Sequence, residues 1–195
     1  MREARRRRET RETNILLELN IDGAGRSEIR TECGFMNHML ELMSYHGRFD
    51  LHIEASGDTD VDFHHLVEDL GILLGEAFKE ALGEKKGIRR YGQSLLPMDE
   101  ALVLTAVDAS GRAHLSFQAD ITQPTVGFFD TELVEEFFQA FVRSSAMTLH
   151  IHMMSGKNTH HIIEAIFKSV ARALREAVSY DQAFSEEIPS SKGMI

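Results

Sequence analysis

Two short stretches carry the residues best suited to chemistry: HHLVED at 64–69 and HHIIEA at 160–165. Each sets two adjacent histidines ahead of a glutamate that falls one helical turn after the first of them. On a helix, positions i and i+4 share a face while adjacent positions diverge by about 100°. His64 and Glu68 therefore aim together and His65 aims elsewhere; His160, His161 and Glu164 repeat that geometry. One ion cannot comfortably take both adjacent imidazoles. The spacing suits two metals, each drawing ligands from both copies of the motif or from neighbouring subunits. Imidazole with carboxylate suits manganese, iron, cobalt or zinc, and a six-coordinate ion keeps positions free for substrate. The zinc-protease motif differs, because there the glutamate lies between two histidines one turn apart.

Further ligands are expected from the helix preceding each motif. His38 stands in FMNHMLEL, and lining up the apolar residues of LVEEFFQA puts Glu136 opposite it. His150 and His152 share one face of a strand and form a reserve pair, while His46, His52 and His114 read as structural or surface residues. Asp58, Asp60 and Asp62 imitate the start of a calcium loop but lack its glycine and closing glutamate, so they read as a polar loop and helix cap. For anions, GIRRYG (87–92), SGR (110–112) and PSSKG (189–193) place arginine, lysine and serine in short turns. Arginine forks, hydroxyls and free backbone N–H groups suit a phosphate monoester. Lys168, four residues after Glu164, is placed to pair with that carboxylate or to reach an anion near the metals.

The elements that must position these groups come in two similar series. NILLELNI (14–21) and GRSEIRTE (25–32) read as strands, residues 34–47 as a helix, FDLHIEAS (49–56) as a strand, and 64–82 as a helix. ALVLTAVDAS and RAHLSFQADI are then strands, 130–147 a helix, TLHIHMMS (148–155) a strand, and 159–178 a helix. Each double histidine opens the last helix of its series. The chain is therefore expected to be α+β and internally duplicated, with strand-strand-helix-strand-helix half-domains whose sheets pack on helices. The divisions are a basic N-terminal tail (1–10), half-domains at 11–92 and 93–180, and a C-terminal phosphate-binding tail (181–195).

Composition narrows the setting. With 195 residues, 43% of them hydrophobic and 27% charged, the chain can bury a full core. No apolar run is long enough to span a membrane. The arginine-rich start lacks the apolar stretch of a secretory signal, and a net charge of −10 disfavours a nucleic-acid-binding surface, so a solvated, mobile tail is expected. The one cysteine, Cys33, permits no internal disulfide, suits a reducing cytosol and reads as a small buried hydrophobe.

The segments RETN, GFMNHML, DFHHLVED, GIRRYG, PMDEAL, SGR, FDTELVEEFF, TLHI, GKNTHHIIEAIFK and PSSKG, in this order from about residue 9 onward, resemble the imidazoleglycerol-phosphate dehydratases of histidine biosynthesis. The resemblance implies a fold like that of ribosomal protein S5 domain 2 and a cytoplasmic metal-dependent hydro-lyase that converts imidazole glycerol phosphate to imidazole acetol phosphate. It implies two Mn2+ per active site. The assembly it implies has 24 subunits built from trimers, with active sites between subunits and no nucleic-acid or membrane partner. By the same resemblance His38, His64, His65, Glu68, His160, His161 and Glu164 ligate metal. Substrate is met by Glu12, Arg90, Arg112, Lys168, Ser190, Ser191 and Lys192, with Glu12 catalytic. Two departures stand out. Some members have histidine where this chain has Glu136, so one metal gains a carboxylate. The usual LDHM and DDHH are here MNHM and DFHH, which removes carboxylates that could support the histidines.

The chemistry thus implied removes water although the C–H bond that must break is unactivated. Metal on both ring nitrogens gives an imidazolate, loss of hydroxyl gives a diazafulvene-like intermediate, and proton loss then gives an enol that becomes the ketone. Glu12 is expected to shuttle the proton. Two competing readings remain from the residues alone: a two-metal phosphoester hydrolase, and metals that only cement an oligomer.

Overall fold

A computed structural model describes residues 2–195. The first half runs β1 (Glu3–Glu9), β2 (Thr13–Asn20), β3 (Ser27–Arg30), α1 (Gly34–Gly47), β4 (Asp50–Gly57) and α2 (His64–Leu82). The second half runs β5 (Tyr91–Met98), β6 (Ala101–Asp108), β7 (His114–Gln118), a small hairpin of β8 (Thr125–Val126) and β9 (Phe129–Asp130), α3 (Leu133–Ser145), β10 (Thr148–Ser155) and α4 (Thr159–Val178). The two large sheets have equivalent orders, β1-β2-β4-β3 and β5-β6-β10-β7. In each, a helix bridges the one parallel pair, β3 to β4 and β7 to β10. The duplication is thus present in topology as well as in motif.

Each half carries one more leading strand than the sequence reading assigns. The arginine-rich start, expected as a mobile tail, is the edge strand β1, paired antiparallel with β2 over its whole length. Ala4, Arg6 and Arg8 turn toward α2; Arg6 meets Glu80 at 2.6 Å, and Arg8 Nε donates to Asp69 at 2.7 Å. Aliphatic arginine stems can cover apolar surface while their heads find carboxylates, so a strand this charged still packs. Its outward charges also discourage a second edge from adding on. β5 hid behind Gly92, Ser94 and Pro97, which blur the alternation; Pro97 is tolerated because β5 is an edge strand. The helix expected from residue 130 begins instead at Leu133, after the β8–β9 hairpin, whose Phe129 is buried.

The helices lie between the sheets and meet across the halves: α1 packs on α4, and α2 on α3. Phenylalanines fill the seam, with Phe78 edge-on to Phe141 at 5.6 Å and Phe138 against Phe167 at 4.9 Å. Burying each such ring contributes about 1.5–3 kcal/mol. Two glycines on one face of α2 set how closely α3 can come. A Cβ at Gly71 would stand 2.5 Å from the Phe137 carbonyl oxygen, and one at Gly75 2.5 Å from that of Phe141. Cys33 is buried, as expected of a small hydrophobe.

Candidate metal centre

The cross-half packing of helices decides which donors meet. α1 on α4 brings His38 to His160 and Glu164, and α2 on α3 brings His64 and Glu68 to Glu136. In each trio one ligand atom per residue lies within 4.8 Å of the others. In the first, Glu164 Oε2 is 3.4 Å from His160 Nε2 and 4.0 Å from His38 Nε2. Its other oxygen, Oε1, pairs with Lys168 Nζ. Burial pushes the Glu164 carboxyl up, but the Lys168 ammonium and the neighbouring histidines outweigh it and hold the group below its ordinary range. In the second trio, Arg143 of α3 donates to Glu68 Oε1 at 3.0 Å and stands 3.6 Å from Glu136 Oε1. Each trio thus takes donors from both halves, and Glu136 is the counterpart of His38.

His65 and His161 stand apart from both trios, each with its ring fixed by a carboxylate. Asp58 Oδ2 is 3.0 Å from His65 Nδ1, and Glu100 Oε2 is 2.8 Å from His161 Nδ1. These bonds raise both histidines above the usual imidazole range. The same bond, with backbone N–H donors from Asn158 and Lys157, takes Glu100 down to about 2. A carboxylate on Nδ1 leaves Nε2 as the free donor and fixes the ring, an arrangement common behind metal-bound histidines. The helix starts are pinned alongside: Asp62 Oδ1 accepts the His64 N–H at 2.7 Å, and Asn158 Oδ1 accepts the His161 N–H at 3.2 Å. Asp62 therefore supports the helix start from one residue before the N-cap, Phe63, rather than being the cap itself, and Asp58 is a histidine partner. Asn37, where a carboxylate was missed, bonds Thr31 through both its oxygen and its nitrogen.

Glu12 sits at the rim, its Oε1 3.8 Å from His65 Nε2. Its turn is locked from below. Thr10 Oγ1 accepts the N–H groups of Glu12 and Thr13, and the Thr13 hydroxyl donates to the buried Asp69 at 2.5 Å. Asp69, beside Glu68 in the first motif, was not singled out from sequence. Neither was Glu100 in PMDEAL nor Arg143; only the pairing of charges in space exposes them. His150 and His152, the reserve pair, alternate with the buried Leu149 and Ile151 of β10 and so lie on the sheet face turned away from the helices and the trios.

The three turns suspected of anion binding converge. Arg90, Ser110, Arg112, Ser190, Ser191 and Lys192 line one cavity of about 390 Å³. Asp108 holds Arg90 through Nε at 2.7 Å and Nη2 at 3.2 Å, and Arg90 Nη1 donates to the Pro189 carbonyl at 2.9 Å, so the C-terminal segment is stapled to the cavity wall. The Asp108 bond holds the Arg90 guanidinium above even its ordinary range. Lys168 does not join this group; it stands in the middle of α4, beside Glu164 and Met98 Sδ. The Arg90 N–H bonds the Ala177 carbonyl, 13 residues along α4 from Glu164. At the rise of a helix that is about 20 Å. Within one chain, the basic cavity and the first donor trio lie far apart.

Comparison with known proteins bears directly on this geometry. Residues 31–174 match the model of a family described as imidazoleglycerol-phosphate dehydratase. The dehydratase of Xanthobacter autotrophicus is 54% identical over all of this chain and 99% of its own length, and that of Bacillus pumilus is 54% identical with both chains fully covered. The crystal structure of imidazoleglycerol-phosphate dehydratase from Staphylococcus aureus superposes with a TM-score of 0.84 at 44% identity, covering 92% of this chain and 99% of that one. That of the Pyrococcus furiosus protein in complex with (S)-C348 also gives 0.84, at 37% identity, covering 97% and 100%.

Proposed function

The chain belongs to the imidazoleglycerol-phosphate dehydratase family, and from that premise we propose how its residues carry out the dehydration of imidazole glycerol phosphate in histidine biosynthesis. The donor sets would suit two cations of the manganese kind: imidazoles with carboxylates, and outward histidines whose second nitrogen is already fixed. His38, His160 and Glu164 would hold one Mn2+, and His64, Glu68 and Glu136 the other, with Nε2 of His65 and His161 completing sites across a subunit boundary. When bound, the two ions supply Lewis acidity to both nitrogens of the substrate's ring.

The chain's own groups do the rest. Arg90, Arg112, Ser190, Ser191 and Lys192 bind the phosphate, with Arg90 aimed by Asp108. Since Ala177, which anchors the cavity's Arg90, lies about 20 Å along α4 from Glu164 of the first trio, more than a small phosphate ester spans, the cavity of one subunit serves the first-trio histidines of another. This reading requires a homo-oligomer, and we propose the assembly of 24 subunits built from trimers that the resemblance implies. Lys168 pins Glu164 through Oε1 so that Oε2 faces the imidazoles, and can lend a positive charge to the bound substrate. Glu12, half exposed and unpaired with any lysine or arginine among the described residues, carries the proton: it protonates the departing hydroxyl and accepts the carbon-bound proton. We propose a cytoplasmic setting, as the resemblance implies. Among the described residues no helix is long and apolar enough to cross a membrane.

The observation that carries the dimetal reading is the cross-half pairing of donors in both trios. The test is turnover of imidazole glycerol phosphate by purified protein with added Mn2+ and with chelator. Formation of imidazole acetol phosphate that depends on the metal is expected; chelator-resistant turnover would remove the metals from the reaction.

A further inference from the structure

The two donor trios are equivalent in the duplicated fold but not in chemistry. The α1–α4 trio offers two imidazoles and one carboxylate; the α2–α3 trio offers one imidazole and two carboxylates. A cation already stands at each, in different ways. At the first, Lys168 Nζ takes Glu164 Oε1, while both histidines face Oε2, so lysine and metal use opposite oxygens. The Lys168 side chain is only 15% exposed. At the second, a single guanidinium nitrogen, Arg143 Nη2, bridges Glu68 Oε1 and Glu136 Oε1 at 3.0 and 3.6 Å. It relieves the repulsion between two carboxylates drawn together by the close α2–α3 packing. The Arg143 side chain is 52% exposed, on the last turn of α3, with solvent to swing into.

We propose that Arg143 is a built-in competitor for the second metal, contending with it for the same two carboxylates, so that the sites load in order. The His38–His160–Glu164 site fills first, and the His64–Glu68–Glu136 site fills second and more weakly, as Arg143 is displaced. This rests on the dimetal reading and adds regulation to it. At limiting Mn2+ the protein holds one ion per chain and cannot engage both nitrogens of its substrate's ring, so activity rises with Mn2+ along the weaker of two binding steps.

The test is a Mn2+ titration of metal-free protein read by the electron paramagnetic resonance signal of free Mn2+, which needs no turnover. The native chain should show two classes of one ion each. Arg143→Gln should tighten the weaker class by about tenfold, the repulsion between a dication and a guanidinium about 5 Å apart in a water-like dielectric, and leave the tighter class alone. Arg143→Lys, which keeps the charge, should stay close to the native pattern. Glu136→Gln should weaken the second class only. Two equal classes in the native chain, or an Arg143→Gln variant whose second class is unchanged or weaker, would overturn the proposal while leaving the dimetal reading intact. Failure to bind any Mn2+ would overturn both.

Discussion

Gly71→Ala sets two physical effects against each other with opposite signs. Alanine is better than glycine in a helix interior by about 1 kcal/mol, so propensity alone makes the variant more stable. Packing says the reverse. The new methyl would lie 2.5 Å from the Phe137 carbonyl oxygen and 2.9 Å from Ala140 Cβ. Ordinary contact is roughly 3.5 Å, so α2 and α3 must part by about 1 Å, and the partner is backbone, which cannot rotate aside. Overpacking of this kind costs about 3 kcal/mol at the upper end of its usual range, leaving a net loss of about 2 kcal/mol. Urea unfolding followed by circular dichroism, in chelator and at one protein concentration, should show the midpoint about 1 M lower with the slope unchanged. The same parting draws Glu136 away from His64 and Glu68, so Mn2+ binding at that site should weaken while the α1–α4 site keeps its affinity. A variant about 1 kcal/mol more stable than the native chain, with both metal classes intact, would refute the reasoning: the helices would not be as close as described.

Three other outcomes follow from the site. Glu12→Gln should lower kcat by 100-fold or more with metal content unchanged, measured by steady-state turnover beside metal analysis; near-native turnover would take Glu12 out of the reaction. Asp58→Ala and Glu100→Ala remove the groups that fix His65 and His161, and each should weaken Mn2+ binding roughly 10- to 100-fold; equilibrium dialysis would show it, and unchanged binding would mean those histidines are not ligands. Lys192→Ala, at the basic cavity, should raise KM about tenfold with little effect on kcat; a loss confined to kcat would place the phosphate elsewhere.

What could be read in the sequence was whatever repeats at a short, fixed spacing. The double histidines and their glutamates declare themselves because one helical turn is four residues, and the duplication shows because both copies open the last helix of a half. Glu136 was legible only by aligning the apolar face of α3 with that of α1. The supports were not. Glu100 is 61 residues from His161, and Asp69 is 56 from Thr13, so nothing local marks either pairing. Arg143 and Glu68 are 75 apart and meet only because Gly71 and Gly75 let two helices touch. β1 was misread because four consecutive arginines hide the alternation of a strand. Its inward and outward positions differ in where their guanidinium heads end, not in residue type. The anion turns were each weak alone, and gained meaning when Arg90 was found bonded to Pro189.

The most direct test of the paired-trio account is anomalous X-ray scattering at the manganese edge from crystals grown with Mn2+. Two peaks per chain are expected, one among His38, His160 and Glu164 and one among His64, Glu68 and Glu136. Density showing the four paired histidines facing solvent with no ion near either trio would contradict it.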